Sequence, residues 1–193
     1  MKHVKILGLL SIIAAALLAI VATASATVAT APGGTAYTGT LKGVNTGPVT
    51  FHGVVDVTCN EGEIQGTIAQ HGPSVTGQGQ NTLFVYSGCN QHIVPLAKGT
   101  IEVHAIGNGN GTITSTNTET TVEFTTIFGN IHCVFSTVNT HIGTVTGATS
   151  DSGHATVHLE GAIPVKSGSF LCGSSAEITG AGKVTSPTGL RID

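Results

Sequence analysis

The feature that most constrains this chain is a period of two. In "VTFHGVVDVTC" the positions Val49, Phe51, Gly53, Val55, Val57 and Cys59 are apolar or small, and Thr50, His52, Asp56 and Thr58 between them are polar. Successive side chains of a strand point to opposite faces, so this pattern describes a strand with one buried face and a cysteine on it. The pattern recurs. Ile101, Val103 and Ala105 alternate with Thr100, Glu102 and His104, and Val122, Phe124, Thr126 and Phe128 share one face. Ala176, Ile178, Gly180, Gly182 and Val184 lie opposite Glu177, Thr179 and Lys183. Beyond residue 26 no stretch carries a helical period. Turn clusters such as Asn60-Glu61-Gly62, Asp151-Ser152-Gly153 and Ser167-Gly168-Ser169 separate the runs. In "IGNGNGTI" the Asn-Gly pair suits the positive φ of a type I′ hairpin turn. The expectation is an all-β chain, an antiparallel β-sandwich or closed barrel of about ten strands, each alternating over roughly five to eight residues.

The first residues have a different character. Lys2 and Lys5 precede an apolar run from Ile6 to Ala22, and Ala24-Ser25-Ala26 supplies the small residues of a cleavage site. A signal peptide over 1–26, cut after Ala26, is expected, followed by a flexible lead-in (27–34), a single β domain (35–186) and a tail (187–193). Cleavage leaves 193 − 26 = 167 residues, enough for one domain, and no stable transmembrane span. It also removes two of seven basic residues, so 5 − 10 gives a net charge of −5. With no basic cluster left, nucleic acid and anionic membrane surfaces are not expected partners. The four cysteines, Cys59, Cys89, Cys133 and Cys172, are an even number in an exported chain and imply disulfides. Three connectivities exist, and the sequential one, Cys59–Cys89 with Cys133–Cys172, is favoured. No CxxC pair is present to bind zinc or act as a redox couple.

The densest chemistry lies in "DSGHATVHLEG". On a helix His154 and His158 would share a face, but Ala155, Val157 and Leu159 alternate with them, so the segment is a strand. At about 3.3 Å per residue the two rings then stand roughly 13 Å apart, too far to share a metal. His158 with Glu160, and Glu102 with His104, have the closer spacing of two. Were their strands neighbours, a His₂Glu₂ metal patch would form; otherwise these residues decorate a solvent face, and no metal or cofactor is expected. "NIHC" and "SDSGH" faintly resemble trypsin-like protease elements. Their His132 and Ser152 are only 20 residues apart, and no acidic partner completes a triad. No catalytic residue is assigned. In "TLFVYSGC", Phe84 and Tyr86 share one face opposite Leu83 and Val85, which offers either a buried central strand or an exposed apolar contact strip.

"VTCNEGEIQGTIAQ", "LFVYSGC", "IHCVFSTVNTHIGTVTG", "HATVHLEGAIPV" and "GSFLCGSSAEITGAGKV" together resemble secreted proteins of the protein-activator-of-alkane-oxidation family and similar four-cysteine exported proteins of actinobacteria. The likeness spans residues 49–185 and rests on cysteine order and glycine-punctuated strands. The Leu-Pro-Trp element of such proteins is represented only by Val94-Pro95-Leu96, without tryptophan. The resemblance implies a non-catalytic extracellular β protein with cell-surface, biofilm-matrix or hydrocarbon-interface roles, and no catalytic residues carry over. The expected function is accordingly a secreted, non-catalytic surface or matrix protein that self-associates or contacts apolar interfaces. The alternatives are a metal-dependent hydrolase built on the His/Glu patch and a small oligomeric porin.

Overall fold

The computed structural model describes residues 29–193 apart from 72, 73, 98 and 128, and leaves the side chains of 69–84 and 96 undescribed. The expected signal segment, its cleavage at Ala26 and residues 27–28 lie outside the described residues. In chain order the strands are β1 (Ala29–Thr30), β2 (Gly39–Asn45), β3 (Val49–His52), β4 (Val57–His71), β5 (Ser74–Cys89), β6 (His92–Ala97) and β7 (Thr100–Gly107). They continue with β8 (Asn110–Thr116), β9 (Glu119–Thr126), β10 (Gly129–Ser136), β11 (Thr140–Thr146), β12 (Thr156–Gly168), β13 (Ser175–Ser186) and β14 (Arg191–Ile192). One 3₁₀ turn, Phe170–Cys172, joins β12 to β13. The all-β class holds, and both disulfides form in the sequential pairing, Cys59–Cys89 and Cys133–Cys172.

Every pairing is antiparallel, and the ladder returns on itself. β2 pairs β4, β4 pairs β5, then β7, β8, β11, β12 and β13 follow, and β13 pairs β2 again. This is a closed eight-stranded barrel. The strands β4, β5, β12 and β13 run 15, 16, 13 and 12 residues, well beyond the expected five to eight. Their extra length builds a second layer of sheet above the barrel. There the order is β5–β4–β3–β13–β12–β10–β9–β6. Between β5 and β6 no ladder occurs among the described residues, so this upper layer is open along one seam. The register shifts between Gln65 and Thr67 in the barrel part of β4, and between Val134 and Phe135 on β10 opposite the upper end of β12.

Two cores result. The barrel core gathers Ile68, Ile113, Ile142, Val145 and Val184. The upper core gathers Phe51, Val57, Val122, Phe124 and Ile178 around buried Cys59, Cys133 and Cys172. At the junction the β8–β9 and β10–β11 connections run side by side. There the buried Ser115 hydroxyl meets Thr118 Oγ1 at 2.9 Å and Thr137 Oγ1 at 3.0 Å, which satisfies groups that would otherwise be stranded. β11 and β12 also approach closely here. A Cβ on Gly161 would lie 2.2 Å from the His141 carbonyl oxygen, and one on Gly143 would lie 2.1 Å from that of His158.

Two expectations change. "VTFHGVVDVTC" is not one strand but two, with Phe51 opposite Val57 and Val49 opposite Cys59. The four-residue turn 53–56 preserves the parity of the alternation, so all four inward residues are buried as expected while the reversal leaves no trace in the period. Parts of the expected lead-in and tail belong to the β structure as well. Ala29 pairs Ile192 and Thr30 pairs Arg191, and this ribbon inserts Ala29, Leu190 and Ile192 into the barrel core. Thr30 Oγ1 donates to Asp193 Oδ2 at 2.6 Å. The Asn-Gly turn is as expected, with Asn108 at φ 55° and Gly109 at φ 76° between β7 and β8.

Candidate functional site

Glu102 and His104 do meet on β7, with Nε2 to Oε2 at 3.4 Å, and His158 and Glu160 stand 3.7 Å apart on β12. The two pairs do not converge. The register runs His104–Thr112–Thr144–His158, which places β8 and β11 between them. Three strand spacings separate the pairs by roughly 14 Å, so the His₂Glu₂ patch does not form. His154 lies ahead of β12, and its Nδ1 donates to the Val184 carbonyl at 2.8 Å, a structural bond.

A different histidine cluster occupies the seam between β5 and β6. His92, Glu123 and His132 are direct cross-strand neighbours on β6, β9 and β10. His92 Nδ1 lies 2.7 Å from Glu123 Oε2, and His132 Nδ1 lies 3.0 Å from Oε1. The bond from His92 in particular, aided by His132, holds the Glu123 carboxyl below the usual glutamate range. An ionised carboxylate only accepts, so each ring donates to it from Nδ1. The trio lines a cleft of about 610 Å³ with Ser87, Asn90 and Asn130. The Ser87 hydroxyl donates to Glu61 at 2.7 Å rather than to an imidazole of the trio. Among the described residues no set of three or more His, Cys, Asp or Glu side chains is arranged to hold a metal ion. Sequence reasoning missed this trio because its members come from three strands and share no local spacing; only the register joins them.

Of the expected contact strip, Phe84 and Tyr86, only the Tyr86 side chain is described. Tyr86 turns inward, its ring edge-on to Phe51 at 5.4 Å, and burial pushes its phenol well above the usual tyrosine range. The Phe84 side chain lies outside the described residues.

Tyr86 also borders an apolar cavity of about 160 Å³ inside the barrel. All eight barrel strands contribute to its wall: Leu41, Ile64, Tyr86, Ile101, Ile113, Ile142, Val157 and Val184 are one residue from each. Native interiors rarely leave a void larger than a water molecule. At ~24 cal/mol per Å³, one of 160 Å³ costs about 4 kcal/mol if empty.

Large apolar side chains are exposed at several turns, Ile106 (64 %) at β7–β8 and Val138 (75 %) at β10–β11 among them, and three lie at the end away from the barrel. Val54 (61 %), Ile127 (93 %) and Phe170 (90 %) sit on the β3–β4, β9–β10 and β12–β13 turns. These turns are consecutive around one rim. A Cβ on Gly173 would lie 3.3 Å from Val54 Cγ2, and Cys133, on the β9–β10 hairpin, is opposite Gly168 at the end of β12.

In the barrel part of β12 the outward positions Thr156, His158 and Glu160 are polar or charged, while the barrel interior is apolar. Transmembrane barrels show the reverse, with an apolar outer band and a polar lumen. Among the described residues no helix is long and apolar enough to cross a membrane. No protein-family model, curated protein or solved structure matches the chain.

Proposed function

We propose that this chain is an exported, non-catalytic protein that works by contact with apolar surfaces, through the rim of turns carrying Val54, Ile127 and Phe170. The observation that carries the reading is the placement of three exposed apolar side chains, two of them almost unshielded, on three neighbouring turns. Single exposed apolar residues are ordinary on a protein surface; a contiguous set at one end is the usual mark of an interaction site. The two disulfides accord with an oxidising compartment, and they tie down the strands that bear these turns. The resemblance in cysteine order to exported interface proteins supports the same reading.

The test is adsorption of the oxidised chain to a hexadecane–water interface, followed by the fall in interfacial tension. A Val54→Ser, Ile127→Ser, Phe170→Ser variant should adsorb far more weakly at equal concentration while keeping the native circular dichroism spectrum. Equal adsorption by the two proteins would sink the proposal.

A further inference from the structure

The cavity within the barrel has an apolar wall and a defined size. Its polar neighbours, Asn45, Glu63 and Lys183, present almost no polar surface to it. A buried water needs two to four polar partners, and the described residues of this wall do not offer them. An eight-stranded barrel has an interior that side chains just fill or that holds one small ligand. Here β-branched residues such as Ile113, Ile142, Val145 and Val157 line the space without filling it. Dry, apolar cavities of about this volume accept benzene or xenon. We infer that the barrel interior is a binding site for one small, uncharged, apolar molecule about the size of a benzene ring. This goes beyond the surface reading, since it concerns the opposite end of the molecule. The wall is completed by the β1–β14 ribbon, held by only two ladder positions, and this is its shortest element.

The experiment uses the full, oxidised chain with labelled Ile and Val methyl groups, titrated with benzene and separately pressurised with xenon. Saturable shifts are expected at Ile113, Ile142, Val145 and Val157, and none at Val57 or Val122, which lie in the other core away from the cavity wall. Val145→Phe places a ring in the space and should weaken benzene binding at least about tenfold, a difference of ~1.4 kcal/mol. Val157→Leu is a second, milder filling variant; should neither variant fold, the titration of the unaltered chain decides alone. Shifts that never saturate, or that saturate with equal affinity in a folded filled variant, overturn the inference. Neither outcome depends on Val54, Ile127 or Phe170, so failure here and failure of the surface reading are separate results.

Discussion

The lower barrel and the upper layer share the strands β4, β5, β12 and β13, yet each is completed by different means. The barrel closes by hydrogen bonds alone, is lined by Ile and Val, and keeps a cavity of about 160 Å³. The upper layer stays open between β5 and β6, is filled by Phe51, Phe124 and Phe135, and carries both disulfides. A closed ladder has no edge to guard, so its interior can be left loosely filled without fraying. An open one needs a dense core and covalent ties. The contrast is that both cystines lie in the open layer, one between the paired strands β4 and β5 and one between β10 and the 3₁₀ turn after β12.

The largest effect should come from removing one of the covalent ties of the open layer. Replacing Cys133 and Cys172 together with Ala removes a bridge across 39 residues and should cost about 4 kcal/mol in urea unfolding. Amide exchange should quicken in β9 and β10 well before β8 and β11. Uniform acceleration would mean that the two layers open as one unit.

A smaller effect should differ in sign between the layers. Val57→Leu adds a methylene to the packed core and should destabilise by about 1–3 kcal/mol. Val145→Leu adds the same group beside the cavity and should be neutral or stabilising by up to ~0.8 kcal/mol, the value of one buried methylene. Thermal midpoints of the two variants measure the difference directly, and equal losses would mean that the barrel interior is already full.

The smallest effect concerns Glu123 at the open seam. Its carboxyl is held low in the folded state by His92 and His132, so the stability it contributes is present above the ordinary glutamate range. That contribution is lost as the pH falls through the folded value. The stability difference between the unaltered chain and Glu123→Gln should therefore shrink on acidification. By carbon-detected titration, the Glu123 midpoint should rise in His92→Ala. An unmoved midpoint would show that His92 does not stabilise the Glu123 carboxylate.

Much of this fold was legible in advance. Alternation placed Val49, Phe51, Val57, Cys59, Val122, Phe124, Ile178 and Val184 inward, and all are buried. The Asn108-Gly109 turn followed from backbone sterics, and the sequential disulfides from an even cysteine count and short loops. Each is a local or compositional property: side-chain parity, φ preference, thiol pairing. What lay between strands was not legible. The reversal at 53–56 keeps the parity unchanged, and the closure of β13 on β2 pairs residues about 140 positions apart. Glu102 and His104 suggested a partner in His158 and Glu160, but two intervening strands keep them apart; His92, Glu123 and His132 suggested nothing, yet adjacent strands bring them together. The sequence by itself determined which face of each strand is apolar, because that is written at every second residue. Only the tertiary structure decided which strands are neighbours, and with that the open seam, the apolar rim and the cavity, because register is set by the packing of the whole sheet at once.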